Sequence, residues 1–408
     1  MEQSYTGAKG KLKNSFLILV FFILILGTDT VSIPLSNSVL SGISSVICLI
    51  LFVWIKPYKY NEYDLNVLFL LILFTLLSQI KNLELSFAYE MLIFYWLGAY
   101  AFVTYFNHSL FSKLYVNFMI FISCISLLSY ISGLLNLSWI NFFPLNETES
   151  HNVMILTSVP VTLYGRLRNY GPFWEPGVYQ AYLNYALILC LFKEIKINWT
   201  KVLVLVVTII TTLSTTGFIV TLLIFFSYFY SKRKINSRYI LALIVFGILI
   251  YFVTDSVLFQ EMVWNKVSTW EESRSTQTRF EDVKIYSSIF IEHPLFGDGL
   301  IHAHELSKIA YSKDPMYITA EGTSFEGATT TLMRQFASLG FVVGLVQLFL
   351  VWRYSIFLST NKFIRIVFLV VFEILLNTEC LIYSLMFNTI FFYGVSKQER
   401  YKKISIQM

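Results

Sequence analysis

Residues 166–180 read RLRNYGPFWEPGVYQ, a polar and aromatic stretch between an apolar run that ends near Leu135 and another that begins near Val178. Pro172 and Pro176 each remove a backbone donor and restrict the residue before them, so the stretch can neither continue a regular helix nor span a bilayer. We therefore expect a shaped, cationic loop where membrane meets water. The simpler interpretation is an interfacial loop that only anchors the protein through its aromatic side chains.

The composition of the whole chain indicates a polytopic membrane protein. Of its 408 residues, 56% are hydrophobic and 18% aromatic, whereas only 13% are charged; soluble domains are about 25% charged. The net charge of +5 is small and scattered, so it does not favour nucleic acid as a partner. Four cysteines lie in or at the ends of apolar runs without metal-ligand spacing, and they indicate small buried side chains: Cys48, Cys124, Cys190 and Cys380.

Apolar runs of about twenty residues each correspond to one membrane crossing. The sequence therefore predicts an all-α polytopic membrane protein, a single domain over 1–408 with about twelve transmembrane helices. The predicted spans are 15–33, 37–55, 65–80, 87–106, 114–134, 175–192, 201–213, 217–231, 239–254, 328–352, 363–379 and 381–396. Because the run from Lys201 to Tyr230 is too long for one helix, we expect a polar break at Thr215, Thr216 and Gly217.

Basic residues predict the orientation in the membrane. With a cytoplasmic N-terminus, about twenty of the 30 Lys and Arg residues fall in short loops on the cytoplasmic side, as the positive-inside rule requires. Both termini are then cytoplasmic, and two long loops, 135–174 and 255–327, are external. We expect the second loop, between spans nine and ten, to be a partly helical cap over an active-site cavity. It contains an amphipathic piece at 257–270 and a turn at 293–300 that its Pro and Gly residues force.

Four arginines require an explanation, because a guanidinium in or beside a bilayer is costly. Arg166 and Arg168 lie in the first external loop and Arg279 in the second, whereas Arg334 lies roughly 9 Å inside a predicted span at 1.5 Å per residue. All four are candidates to bind diphosphate, since guanidinium matches phosphate bidentately. The alternatives are an ion pair between Arg334 and Glu373, and separate contacts of the loop arginines with phospholipid headgroups.

Glu175, His302 and His304 are the candidate catalytic residues. Glu175 precedes Pro176 at the positive end of a predicted helix, where its simplest role is to cap that helix. A carboxylate in this position could also accept a proton from a sugar hydroxyl. The two histidines follow the turn at 293–300, and histidines two apart in a loop more often face solvent.

Aromatic side chains and the motifs that are absent indicate which kind of substrate to expect. Tyr170, Trp174 and Tyr179 offer flat apolar surfaces of the kind that suit sugar faces, so we expect them to contact substrate. The sequence contains no P-loop, dinucleotide fingerprint, GxSxG elbow or HExxH motif. Chemistry that requires ATP, a metal or another cofactor is therefore unsupported, and an activated substrate delivered by the membrane, such as a lipid diphosphate, is favoured.

Four features together resemble the Wzy-type O-antigen polymerases and, more broadly, the O-antigen ligase and polymerase superfamily of bacterial surface polysaccharide assembly. They are FWEPGVYQAYLN at 173–184 after Arg166 and Arg168, the broken double span with LSTTG at 213–217, TRF at 278–280 followed by HPLFGDG at 293–299, and a span opening on small polar residues at 327–344 with Gly340 and Gly344. The similarity covers mainly residues 164–345.

The resemblance implies an integral-membrane glycosyltransferase at the outer face of the bacterial inner membrane. The growing glycan would leave undecaprenyl diphosphate and be attacked by a hydroxyl of the incoming lipid-linked repeat unit, with Arg166 and Arg279 holding the diphosphate. The partners would be this lipid-linked donor and acceptor, membrane lipids and a chain-length regulator protein. Ligases tend to place a histidine at the head of the span after the large loop, whereas this chain has GATTT at 327–331, which favours the polymerase.

Two other classes of function remain open. A transporter or flippase of lipid-linked sugars would have inverted repeats and charged, broken helices at mid-membrane, and neither is clear in the sequence. A purely structural membrane scaffold would leave the intramembrane Arg334 unexplained.

Overall fold

The computed structural model describes residues 18–19, 22, 37–54, 62–135, 137–143, 150–153, 156–160, 168–194, 196–232, 274–312 and 330–396. Its helices are α1 (Asn37–Trp54), α2 (Glu62–Asn82), α3 (Phe87–Tyr105), α4 (His108–Leu134), α5 (Pro176–Phe192), α6 (Trp199–Thr211), α7 (Thr215–Lys232), α8 (Arg274–Glu292), α9 (His302–Ser312), α10 (Thr331–Leu358), α11 (Lys362–Thr378) and α12 (Leu385–Phe392). Between α4 and α5 lie a 3-10 helix (Ser138–Phe142) and an antiparallel hairpin of β1 (Ser150–Val153) and β2 (Thr157–Pro160).

Four of the described helices are long and apolar enough to cross a membrane: Leu65–Asn82 within α2, then α3, α4 and α10. Val39–Val53 in α1 and the whole of α6 are shorter apolar helices. The predicted helical membrane fold is thus confirmed, whereas the count of about twelve spans is not established. The predicted spans 15–33 and 239–254 and the amphipathic piece 257–270 lie wholly or almost wholly outside the described residues.

Polar side chains at the helix starts explain where many of the helices begin. An N-cap oxygen accepts a hydrogen bond from one of the first free backbone N–H groups of its helix and so replaces a missing intrahelical partner. Capping side chains of this kind precede α3, α4, α6, α11 and α12: Ser86, Asn107, Asn198, Asn361 and Ser384. The predicted span 381–396 accordingly begins its helix only after Ser384.

Helix α5 is the centre of the described bundle. Every residue from Pro176 to Leu191 is buried, because α4, α6 and α7 all pack against it. Several of its polar side chains are paired within the bundle: the Tyr179 hydroxyl lies 2.9 Å from the Ser126 hydroxyl, and Thr221 donates to Asn184 Oδ1 at 2.8 Å. A helix that is buried on all sides holds its N-terminus in a defined position.

The break between α6 and α7 lies three residues earlier than the sequence predicts. We expected it at Thr215–Gly217, but α6 ends at Thr211 and α7 begins at Thr215. Leu213 adopts a left-handed conformation with φ of 50°, and the Ser214 hydroxyl accepts a hydrogen bond from the Gly217 N–H at 3.3 Å. Ser214 therefore acts as the cap that starts the second helix, and the small residues after it fall in the first turn of that helix.

Helix α10 is interrupted at Gly340, which has φ of 83° and ψ of −179°. The turn at 293–300 inserts beside the interruption, where the N–H groups of Asp298 and Gly299 donate to the carbonyls of Ala337 and Ser338 at 2.8 and 3.0 Å. In return, Phe341 donates its N–H to the Pro294 carbonyl at 2.8 Å. The turn forced by Pro and Gly is thus confirmed, and it supplies the hydrogen bonds that the broken helix lacks.

The Gly340 interruption predicts a large cost for a side chain at that position. A Cβ there would overlap the Leu295 carbonyl oxygen and require a positive φ, so Gly340→Ala should destabilise the protein by about 1–3 kcal/mol. Thermal unfolding of the purified protein in detergent measures the effect. Gly42→Ala in α1 is the matched control, because a Cβ there meets nothing within 4 Å; equal melting temperatures for the two variants would contradict this account of the break.

Candidate functional site

The start of α5 positions Glu175. Pro176 occupies the first helical position, and Glu175 is the N-cap residue with φ of −149° and ψ of 156°, yet its side chain makes no capping hydrogen bond. Because the backbone conformation alone starts the helix, the half-buried carboxylate is available for other contacts. The predicted location beside the positive end of a helix is confirmed, but the simple capping role is not observed.

The loop before α5 is fixed to its neighbours by Asn169. Its backbone N–H donates to the Thr211 carbonyl at 3.0 Å, and its side-chain amide donates to the Thr211 hydroxyl at 2.9 Å. The Asn169 Oδ1 accepts from the Gly171 N–H at 3.0 Å. Gly171 has φ of 54° and lies against the Tyr179 ring, where a Cβ would meet ring atoms at 2.6 Å. The stretch that interrupts the apolar runs is therefore tied to the end of α6.

Arg168 binds the break between α6 and α7. Its Nε donates to the Thr212 carbonyl at 2.9 Å and its Nη2 to the Leu213 carbonyl at 3.2 Å, so a cation neutralises the negative end of α6. Burial lowers the pKa of Arg168 from its usual value, while Tyr170, Glu175 and Glu379 act in the opposite direction. Arg168 thus lies in the electrostatic field of two carboxyl groups.

A second convergence lies at the junction between α11 and α12. Arg279, from α8, donates from Nε to the Thr378 carbonyl at 3.3 Å, and its Nη2 lies 3.5 Å from Glu379 Oε1. Arg334, from α10, donates from Nη1 to the Cys380 Sγ at 3.3 Å. Two of the predicted arginines therefore meet three consecutive residues of one short junction.

The hydroxyl of Thr331 forms two hydrogen bonds with the backbone of this junction. It donates to the Glu379 carbonyl and accepts from the Leu381 N–H, both at 2.6 Å. Two backbone groups that neither α11 nor α12 can satisfy are therefore paired by one side chain at the start of α10. The junction is fixed in place even though it is not helical.

Glu379 is the residue of the site that the sequence reasoning missed. Its side chain is 0% exposed, and its carboxylate lies directly against the Cα of Gly177, where a Cβ would overlap it. Among the described residues no donor makes a hydrogen bond to either of its oxygens. A sequence signal did exist, since an ionisable residue between two apolar runs is a site candidate by default.

Arg334 does not form the ion pair with Glu373 that we considered from the sequence. Among the described residues, Arg334 Nε has no hydrogen-bond partner, and the guanidinium contact is the one with Cys380. Glu373 instead accepts from the Asn377 side chain at 3.4 Å on its own helix. An arginine in an apolar helix without a carboxylate partner fits the alternative of an anion-binding group.

The histidines lie on the first turn of α9, which a different carboxylate organises. Glu84 accepts from the backbone N–H of His302 at 2.7 Å and from that of Ile301 at 3.1 Å. His302 Nδ1 lies 2.6 Å from Asp298 Oδ2, and His304 is half-buried on the same turn. The imidazole of His302 is thus engaged with the turn at 293–300, and its assignment and that of His304 as bases stay predictions.

The predicted aromatic contacts have three different environments. Trp174 is 42% exposed beside Glu175, and Tyr170 is half-buried. Tyr179 is fully buried against Gly171 with its hydroxyl on Ser126, a position that supports the loop. Arg166 lies outside the described residues. Within the described ranges no group of three or more His, Cys, Asp or Glu residues could hold a metal ion.

Comparison with known protein families gives one match. Residues 201–348 match the family model described as O-antigen ligase, which confirms the resemblance to the O-antigen ligase and polymerase superfamily. The matched segment contains Arg279, Arg334 and the turn at 293–300, whereas Arg168, Glu175 and Glu379 lie outside it. No curated protein matches the chain.

Proposed function

We propose that this protein polymerises bacterial surface polysaccharide. In this proposal it transfers the growing glycan from undecaprenyl diphosphate to a hydroxyl of an incoming undecaprenyl-diphosphate-linked repeat unit, at the outer face of the inner membrane. The observation that carries the proposal is the meeting of Arg279 and Arg334 on the junction that holds Glu379, with Arg168 in the field of the same carboxylate. The family match supports membrane glycosyl transfer of this kind.

The arginines fit the charge that such a reaction develops. When the bond between the anomeric carbon and the diphosphate oxygen breaks, the diphosphate takes the electron pair and gains negative charge. Fixed guanidinium groups stabilise this charge more strongly than they stabilise the intact donor, and such stabilisation is usually the largest part of catalysis. We assign diphosphate binding to Arg168, Arg279 and Arg334, with Arg166 as a fourth group predicted from the sequence.

The proton of the acceptor hydroxyl requires a base. As the acceptor oxygen forms its bond to the anomeric carbon, its proton must pass to a nearby group. We assign this role to Glu175, because its carboxylate is not used in capping α5 and lies in the electrostatic field of Arg168. His302 and His304 are the alternative bases that the sequence predicts. Trp174, Tyr170 and Tyr179 are proposed to contact the sugars, and Trp174 is the most exposed of the three.

The topology belongs to the same proposal. We infer about twelve spans, both termini in the cytoplasm and external loops at 135–174 and 255–327, with the second loop covering the site. Residues 274–312 of that loop fold as α8, a turn and α9, in keeping with a folded cap. The reaction needs no cofactor or metal, and its partners are the lipid-linked donor and acceptor, membrane lipids and a chain-length regulator protein.

The principal alternative is an O-antigen ligase, which the family match supports equally. A lipid-linked oligosaccharide flippase is the second alternative. Deleting the chromosomal copy separates the three. Loss of a polymerase leaves single-repeat glycans at the outer surface, loss of a ligase leaves long chains on undecaprenyl diphosphate, and loss of a flippase removes outward glycan altogether.

Purified protein provides the direct test. Incubated with repeat units on a lipid diphosphate, without added nucleotide or metal, it should produce a ladder of glycans that differ by one repeat. Failure to extend the units, together with transfer of a preformed polymer to a lipid A core acceptor, would replace the polymerase by the ligase.

Arg279 is the residue whose loss should be most informative. Arg279→Ala should lower the transfer rate roughly 100- to 1,000-fold, the usual cost of losing one donor to a developing anion. Arg279→Lys should recover little, because an ammonium lacks the bidentate fork. The readout is the length and amount of surface polysaccharide in a deletion strain carrying each variant at equal protein level.

Lys284→Ala is the matched control for Arg279. It lies on the same helix with a side chain that is 77% exposed, so polysaccharide should be unchanged. Long chains of normal length and amount from Arg279→Ala would refute the proposed role.

A further inference from the structure

We infer that the junction between α11 and α12 separates two diphosphate subsites, and that Arg334 binds the diphosphate of the incoming lipid-linked repeat unit. Arg279, with Arg168, then binds the diphosphate of the growing chain on the other side of the junction. This inference rests on the proposed function and deepens it, because a polymerase brings two lipid diphosphates together, whereas a ligase uses one lipid-diphosphate substrate.

The backbone of the junction directs successive side chains to opposite sides. Glu379 has φ of −138° and ψ of 142°, an extended conformation in which neighbouring residues point in opposite directions. Its side chain lies against Gly177 of α5 and 3.5 Å from Arg279 Nη2 of α8. The next side chain, Cys380, instead accepts a hydrogen bond from Arg334 Nη1 of α10 at 3.3 Å. The two arginines therefore meet the junction on different sides.

Thr331 keeps the junction in this position. Its hydroxyl donates to the Glu379 carbonyl and accepts from the Leu381 N–H, both at 2.6 Å, so the backbone is held on each side of Cys380. Thr331 is buried, and hydrogen bonds that are shielded from water are costly to break. The junction is thus a fixed divider between the two arginines.

Arg334 has the contacts of a cation that lacks an anion. Its Nε is buried and has no hydrogen-bond partner in the described part of the chain. Its Nη1 donates to the sulfur of Cys380, which is a weak acceptor. The ion pairs between described residues do not include Arg334. Because an unpaired guanidinium in an apolar helix is costly, an anion from outside the chain would stabilise it.

The place of Arg334 in α10 favours the same kind of ligand. It is the fourth residue of the helix, close to the positive end of the helix dipole, where a cation is disfavoured and an anion is favoured. The first turn contains no acidic residue, and the N-cap residue Thr330 makes no side-chain capping hydrogen bond. The dipole and the guanidinium therefore both attract an anion to this end of α10.

The two diphosphates of the reaction make different demands. The diphosphate of the growing chain is the leaving group and gains negative charge, so several fixed cations stabilise it best. Arg279 and the loop of Arg168, which leads into α5, lie on the side of the junction that Glu379 faces. The diphosphate of the incoming unit stays bonded to its own sugar and keeps its charge. Arg334 would bind it equally in the ground state and the transition state, which affects KM rather than kcat.

An acceptor without a diphosphate tests this role. The donor is the growing chain on undecaprenyl diphosphate, and the labelled acceptor is the repeat unit either on undecaprenyl diphosphate or as an octyl glycoside, which can act only as acceptor. With the diphosphate-linked acceptor, Arg334→Gln should raise the KM of the acceptor roughly 10- to 100-fold, the usual effect of losing a hydrogen bond to a charged group. Its kcat should stay near the wild-type value. With the octyl glycoside, Arg334→Gln should match the wild type.

Two further variants serve as controls. Arg279→Ala should lower kcat with both acceptors, because it acts on the leaving group that the two reactions share. Arg365→Gln removes a guanidinium at the start of α11 that donates to the Ser359 carbonyl at 2.8 Å, and it should match the wild type throughout. If Arg334→Gln does not fold, Arg334→Lys replaces it. Lysine lacks the bidentate fork, so KM should still rise with the diphosphate-linked acceptor alone.

Binding without catalysis gives a second readout. Undecaprenyl diphosphate is titrated into the purified protein in detergent by calorimetry. The wild type should bind two molecules, whereas Arg334→Gln and Arg279→Ala should each retain one tight site, and the two sites should differ. This measurement decides the question if the wild type does not use the octyl glycoside.

The outcomes separate this inference from the proposed function. No effect of Arg334→Gln, an equal effect with both acceptors, or a single site in the wild type overturns the two subsites, while polymerase activity of the wild type stands. If the wild type extends no repeat units, or Arg279→Ala is as active as the wild type, the proposed function itself fails. A rise in KM confined to the diphosphate-linked acceptor, with loss of one of two binding sites, supports the inference.

Discussion

Backbone groups that are freed where a helix breaks inside an apolar bundle must find partners within the protein, because hydrocarbon offers none. The described part of the chain meets this constraint at three breaks. Arg168 donates hydrogen bonds to the carbonyls between α6 and α7. The turn at 293–300 forms hydrogen bonds with the backbone of α10 on both sides of its interruption. Arg279 and Thr331 donate to backbone carbonyls at the junction of α11 and α12. Each partner is distant in sequence from the break that it satisfies.

The same constraint concentrates charge where the proposed function would use it. A guanidinium has five donors, so an arginine such as Arg168 has more donors than the two backbone carbonyls it binds require. Helix ends add fixed dipoles to this field. Because Gly177 brings the start of α5 against Glu379, a buried carboxylate completes a site of mixed charge.

The residues of the candidate site come from both of the long loops. One loop contributes Arg168 and leads into Glu175 at the start of α5, and the other contributes Arg279 on α8 and the turn at 293–300 that pairs with α10. A substrate that binds all of these arginines would contact both loops at once. In the same arrangement Glu84, between α2 and α3, holds the first turn of α9, so the described part of the second loop is a folded element of the bundle.

Local features were predictable because consecutive residues encode them. Pro176 predicts the first turn of α5, and the turn at 293–300 follows from its own Pro and Gly residues. The break after α6 was misplaced by three residues, since Ser214 caps the next helix and Thr215–Gly217 lie in its first turn. The choice of Glu373 as the carboxylate near Arg334 failed because depth along one helix does not reveal which side chains face each other.

The sequence by itself determined a helical membrane fold, the approximate positions of its long apolar helices, and a set of arginines that a bilayer would not tolerate without partners. Apolar run length, Pro and Gly positions and the cost of buried charge are properties of short segments. Only the tertiary structure decided that Arg279 and Arg334 meet at one junction, that Arg168 binds a helix end, and that Glu379 lies against Gly177 at the start of α5. These contacts depend on the packing of α5, α8, α10 and α11, which no single segment encodes.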